Sequence, residues 1–176
     1  DTVPSLFRAA QLIGEALRES KKAIDAGMAD KEVATDVSLL FGGSIGGRKP
    51  RLFLIYGEGN FIECQPDTPY LQIGERKYGK PILDRMIRFD TPLAEAVKVA
   101  LISFSSTMRS NLAVGLPIDL VTVRSGVSAP ELDHRITGED AYYRELNERW
   151  SSALRAAAAA IPLPPYGEDP MQGSLV

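Results

Sequence analysis

Gln72-Ile73-Gly74-Glu75-Arg76-Lys77-Tyr78-Gly79-Lys80-Pro81-Ile82-Leu83-Asp84-Arg85 is dense in charge, yet two glycines and a proline give it shape. Apolar, strand-like runs precede it and a long helical pattern follows. A segment that leaves a sheet, turns on Gly74 and Gly79 and enters a helix at Pro81 brings backbone N–H groups and charged side chains to a sheet end. Sites are often built in such places. On chemistry alone the same residues also suit a solvated connection with a helix start at Pro81.

Upstream, Thr2-Val3-Pro4 offers a cap and a proline near the first helical position. Leu6, Ala9, Ala10, Ile13, Ala16 and Leu17 recur at helical spacing, so a helix is expected to about Ile24, with Gly27 as its stop. Val33, Val37, Leu39 and Phe41 alternate with other residues as a strand does, and the run breaks at Gly42-Gly43-Ser44-Ile45-Gly46-Gly47. No Lys-Ser or Lys-Thr follows these glycines, and Arg48-Lys49-Pro50 leads into another strand rather than a helix. A phosphate-binding loop needs helix N–H groups aimed at the phosphate, so a hairpin connection fits better. Leu52 to Tyr56 and Phe61 to Cys64 continue as a second hairpin, which makes three antiparallel strands over Val33 to Gln65. Tyr70, Leu71 and Ile73 suit a short extended piece.

Downstream, Pro81 to Ile87 reads as a helix, and Asp90-Thr91-Pro92 as the cap of the next. That helix should bury Leu93, Ala96, Val97, Ala100, Leu101 and Phe104 and end near Arg109. Ile118 to Val123 and Leu132, His134 and Ile136 suggest two more strands. A last helix runs from Ala141 to about Ile161, with Tyr143, Leu146, Trp150, Leu154 and Ile161 on one side and Pro162 ending it. Residues 1–161 are thus read as one domain, and 162–176 as a mobile tail rich in Pro and Gly. Strands in blocks with helices in pairs argue for a layered α+β fold rather than a doubly wound parallel sheet.

Composition narrows the function. The 176 residues, 44% apolar, suit one domain with a sizeable core. A formal charge of −3 offers no broad basic surface to nucleic acid. Cys64 is the single cysteine, which fits a reducing, cytoplasmic setting, and His134 the single histidine. Zinc sites of the Cys/His type are therefore excluded, and no cofactor or metal is expected. No apolar run reaches the roughly 18 residues that span a bilayer. His134, between Asp133 and Arg135, reads as structural or surface.

Gln72 to Arg85 also resembles a signature of the Anbu family, bacterial relatives of the proteasome β-subunit. So do Asp1-Thr2-Val3-Pro4-Ser5-Leu6-Phe7-Arg8-Ala9-Ala10, Arg51-Leu52-Phe53-Leu54-Ile55-Tyr56 and Met108-Arg109-Ser110-Asn111-Leu112. The resemblance covers Asp1 to about Ala160, with the motifs in the family's order. It implies the αββα four-layer sandwich of N-terminal-nucleophile (Ntn) hydrolases, with the first strands and first helix absent from this chain. It implies a threonine peptidase acting on peptides or unfolded protein, assembled from copies of itself, with no membrane or nucleic-acid partner. In that chemistry an N-terminal threonine attacks the amide and its own amine takes the proton. Thr2 is second and reads as a helix cap, so the catalytic nucleophile is expected upstream of Asp1 and the chain as given is expected to be inactive.

By position, Gly74 matches the glycine that precedes a serine near the nucleophile's amine in proteasome β-subunits, and Glu75 replaces that serine. Glu75 is then either a site-lining residue with an altered role or a surface or subunit contact. Ser110 and Asn111 match a region that keeps polar residues supporting the nucleophile, although both also suit the end of a helix. Arg76, Lys77, Lys80, Asp84 and Arg85 could bridge to a neighbouring subunit or simply be solvated. A non-catalytic scaffold or assembly subunit is the alternative function. Removing strands from a two-sheet core exposes apolar faces, so this chain alone is expected to aggregate.

Overall fold

A computed structural model describes residues 2–27, 36–127 and 129–166. Two compact units divide the chain, residues 1–140 and 141–176. In the first, helix α1 (Leu6–Gly27) precedes strands β1 (Ser38–Gly43), β2 (Arg51–Tyr56) and β3 (Phe61–Glu63). Helices α2 (Lys80–Met86) and α3 (Leu93–Ser110) follow, then strands β4 (Ile118–Thr122) and β5 (Leu132–Ile136). The second unit holds helix α4 (Ala141–Ala159). The α+β class and the order of elements are as the sequence led us to expect.

Helix α1 begins later than expected, and its cap is Ser5 rather than Thr2. The Ser5 hydroxyl accepts the Arg8 N–H at 3.2 Å, which satisfies a donor the first turn leaves free. Leu6 and Ala10 of α1 then pack on Phe53 and Ile55 of β2, with Ile13, Leu17, Phe41 and Phe61 around them. Phe53 and Ile55 are fully buried. The helix comes close because two glycines meet: Gly14 lies against the backbone of Gly59, which turns at φ +88° between β2 and β3. Arg51 closes the rim of this core, bonded to Glu63 through two nitrogens, with its guanidinium 5.0 Å from the Phe53 ring centre.

The three strands are antiparallel in the order β1-β2-β3. Val33 lies outside the described residues, and β1 starts at Ser38. Gly42 and Gly43 do not break the strand; they pair with Leu52 and Arg51. The turn falls after them, where Gly46 and Gly47 take φ of +61° and +71°. A glycine run alone could not say which of its members turn. Side chains alternate across a strand, so Leu40, Leu54 and Ile62, paired in one row, face away from α1. Leu54 is buried there, but Leu40 and Ile62 remain 42% and 45% exposed.

No strand forms over Tyr70 to Ile73. Helix α2 has Pro81 in its first turn, as expected, and packs on α3. Thr91 does not cap α3: Pro92 holds the cap position, and the Thr91 hydroxyl accepts the Arg88 N–H at 2.8 Å, closing the preceding turn. The buried face of α3 also differs from the expected one. Val99, Leu101, Ile102, Ser103 and Thr107 are buried, whereas Leu93 and Phe104 are each 42% exposed. Their apolar stripe exists but is only partly covered within the described residues.

Strands β4 and β5 form a separate two-stranded antiparallel sheet, with Ile118 paired to Ile136 and both buried. In the second unit, Tyr143 and Leu146 of α4 are buried, but Leu154 and Ile161 are exposed, contrary to the one-sided pattern expected. The tail expected from 162 lacks regular structure over 162–166, and its remainder lies outside the described residues.

Candidate functional site

Between β3 and α2 the chain turns at Gly74, whose φ of +78° is open to glycine at little cost. Gly79 then seats the start of α2 against α3; a Cβ there would stand 2.2 Å from the Ser103 hydroxyl oxygen and 2.9 Å from that of Thr107. The second anchor is the end of α3. Asn111 closes that helix through its N–H, which reaches the Thr107 carbonyl at 2.8 Å. Its side-chain Oδ1 accepts the Ala113 N–H at 2.9 Å, which fixes the amide and leaves Nδ2 pointing elsewhere.

That Nδ2 donates to Glu75 Oε2 at 2.9 Å, across 36 residues of sequence. The other carboxylate oxygen of Glu75 accepts the Lys77 N–H at 2.8 Å. The Lys77 N–H, and then the Asn111 amide, hold the Glu75 carboxyl below the usual carboxylate range, so it is ionised near neutrality. Gln72 adds a third tie: its Nε2 donates to the Glu75 carbonyl at 3.2 Å. Its Oε1 is buried with no hydrogen-bond partner.

A cavity of about 220 Å3 opens beside these groups, lined by Gln72, Gly74, Glu75, Thr107 and Val114 among others. The structure therefore brings Gly74, Glu75 and Asn111 together. Ser110 is exposed at the last turn of α3 and does not join the cluster. Gln72 belongs to the site although the sequence alone did not single it out; the only available signal was its place at the start of the glycine-turned stretch.

A larger cleft, about 790 Å3, lies between the outward face of β2 and β3 and helix α2. Leu54 and Ile62 line one side of it, Lys80, Asp84 and Ile87 the other. Here Lys80 reaches both oxygens of Asp84, at 2.7 and 2.8 Å, and the Tyr70 hydroxyl donates to the same carboxylate. The Arg85 guanidinium donates back to the Pro81 carbonyl at 2.6 Å. Part of the charge read as either subunit contacts or a solvated face is thus satisfied within the chain, by α2 and Tyr70. His134, read as structural or surface, is exposed and lies 3.1 Å from Asp140. Thr2 is exposed and caps nothing. Among the described residues no group of three His, Cys, Asp or Glu could hold a metal ion. No helix among them is long and apolar enough to cross a membrane.

No family model and no curated protein matches the chain. Solved structures do. Anbu from Hyphomicrobium sp. strain MC1 is 48% identical over 92% of this chain and 65% of its own, with a TM-score of 0.82. Anbu, described as an ancestral beta-subunit, from Yersinia bercovieri is 44% identical over 94% of this chain and 68% of its own, at a TM-score of 0.85. A helical assembly of the Anbu complex from Pseudomonas aeruginosa gives 46% identity over the same shares, also at 0.85. The chain spans about two thirds of the length of these structures.

Proposed function

The chain belongs to the Anbu family, and from that premise we propose that it is a subunit of a cytoplasmic, proteasome-like threonine peptidase that hydrolyses peptides or unfolded protein. The observation that carries this reading is the bond from Asn111 to Glu75. It ties the Gly74 turn to the end of α3, the two places where proteasome-type enzymes are expected to keep the polar support of their nucleophile. No residue described here is assigned as that nucleophile. The reading places it on a threonine at the processed start of the complete protein, outside this stretch.

The αββα sandwich is part of the same proposal. Leu40 and Ile62 on one sheet, and Leu93 and Phe104 on α3, are apolar and half open. The two-stranded β4–β5 sheet has an unpaired edge on each side among the described residues. Further strands filling that space would cover the apolar faces and pair the edges. Assembly from copies of itself rests on the Pseudomonas aeruginosa relative, whose structure is a helical assembly. In the mechanism so proposed, the threonine hydroxyl attacks the amide carbonyl while its own α-amine takes the hydroxyl proton; the amine passes that proton to the departing amine as the C–N bond breaks, and water then hydrolyses the ester to free the acid and restore the threonine. The residues seen here would position that amine rather than react.

Glu75 favours a second reading. A carboxylate close to an amine keeps it protonated and weak as a base, which suits a non-catalytic assembly subunit. Peptide hydrolysis by the complete protein separates the two. Turnover that vanishes when the first residue of the processed chain is changed from threonine to alanine supports the peptidase. Absence of turnover in assembled, correctly processed protein supports the scaffold.

A further inference from the structure

We propose that the loop joining α3 to β4 grips an extended, apolar stretch of the substrate polypeptide, with Leu112 as the specificity-determining residue. This rests on the peptidase reading and deepens it, by naming the side chains its substrate should carry. The loop runs Leu112-Ala113-Val114-Gly115-Leu116-Pro117, without one polar side chain. Connections are ordinarily polar, and an exposed run of apolar residues is unfavourable unless something uses it. Here the run is exposed. Leu112 is 100% open, Leu116 39%, and Ala113 and Gly115 are also on the surface. Leu112 stands past the end of α3, beyond the stripe that further strands are proposed to cover. Val114 is half-buried and lines the cavity beside Glu75 and Thr107.

The loop backbone is held rather than loose. The Asn111 N–H reaches the Thr107 carbonyl at 2.8 Å, the Ala113 N–H reaches Asn111 Oδ1 at 2.9 Å, and the Val114 N–H reaches the Asn111 carbonyl at 3.2 Å. Leu112 therefore sits on a turn anchored by Asn111, the residue bonded to Glu75. A contact set in place beforehand loses little freedom when a partner arrives. Among the described residues, the N–H groups of Leu112, Gly115 and Leu116 meet no backbone acceptor. In water that is harmless, but an extended peptide bonds such groups with its carbonyls while its alternate side chains find apolar contacts. The occupant follows from these features. The loop carries no charge, and unfolded polypeptide exposes the apolar side chains that folded proteins bury. Six residues are few beside the roughly 20–30 that each side of a lasting protein interface uses, which argues against a second copy. A polypeptide held at the cavity beside Glu75 meets the loop at Val114.

The test uses the complete protein and two fluorescent peptides, identical except that one carries leucines where the other carries serines. Initial anisotropy reads binding, and any later decay reads cleavage. Burying a leucine side chain corresponds to about tenfold or more in affinity. Wild type should therefore bind the leucine peptide at least about tenfold more tightly than the serine peptide. Leu112→Ser should weaken the leucine peptide by about the same factor and barely touch the serine one, while Leu112→Met should keep the preference. Leu112 is wholly exposed, so the melting curve should not move; Leu112→Gln, of similar shape, replaces Leu112→Ser if it does. Assembly size, read by analytical ultracentrifugation, should stay that of wild type. A wild type indifferent to leucine, or a Leu112→Ser protein that keeps the preference, overturns the inference. So does a smaller assembly in Leu112→Ser, which would place Leu112 between copies. The peptidase fails separately: a grip that depends on Leu112, with no decay of anisotropy, keeps the loop as a polypeptide-binding surface and sinks the peptidase. Cleavage indifferent to Leu112 does the reverse.

Discussion

Gly14→Ala is the substitution whose cost can best be worked from the structure. An added Cβ would stand 2.3 Å from the Gly59 carbonyl oxygen and 3.1 Å from its carbon. Ordinary contact begins near 3.4 Å, so the helix and the turn must part by roughly 1 Å. Both offending atoms are backbone, and no side chain can rotate away. Gly59 cannot yield easily, because its own Cβ position faces the Gly14 carbonyl at 2.7 Å and its φ is positive. Alanine is the better helix former by about 1 kcal/mol. Overpacking of this kind costs about 1–3 kcal/mol, and more where the backbone must move. Parting the two also loosens Leu6 and Ala10 from Phe53 and Ile55. The net expectation is a loss of about 1–2 kcal/mol, or about 2–8 °C in Tm for a chain of this size. The assay is urea unfolding of the complete protein beside Gly27→Ala, where nothing lies within 4 Å. That control should be neutral or slightly stabilising. A Gly14→Ala protein as stable as its Gly27→Ala counterpart would refute the reasoning.

Gly79→Ala drives a methyl group to 2.2 Å from the Ser103 hydroxyl oxygen, so α2 must shift; peptide turnover should fall at least tenfold while secondary structure, read by circular dichroism, is kept. Phe104→Ala should cost about 3 kcal/mol in the complete protein if further strands cover α3, and below about 0.5 kcal/mol if that stripe stays open, as denaturant unfolding will tell. Glu75→Gln should alter the rate of peptide hydrolysis, and an unchanged rate would remove Glu75 from the site. Because the Glu75 pKa is lowered on folding, its contribution to stability is present above the unfolded carboxylate value and disappears as pH falls through the folded one. The difference in stability between Glu75→Gln and wild type should therefore be seen at pH 7 and close in strong acid.

The order of elements was legible because periodicity and glycine–proline punctuation act locally. Leu6 to Leu17 announced α1, and Pro81 announced α2. The ends were less legible: Thr2 and Ser5 offer equivalent capping hydroxyls and only backbone geometry chooses between them, while Pro92 takes the cap position of α3 with no side-chain hydrogen bond to announce it. The buried face of α3 was misjudged because a stripe of apolar residues does not say what covers it; Phe104 stays half open among the residues described. The site divides the same way. Nothing in composition or spacing joins Glu75 to Asn111, and their juxtaposition was implied only by the family resemblance. Gln72 escaped altogether, because an unpaired acceptor is a property of surroundings and cannot be written in a motif.

Among the described residues, the cluster around Phe53 and Ile55 draws its members from residues 6 to 61. A ribosome making this polypeptide would therefore finish one self-contained hydrophobic kernel before it reached the glycine turn at 74. Nascent α1 and its three strands could shelter one another while α2 and α3 were still being synthesised, leaving those helices a formed surface on which to settle.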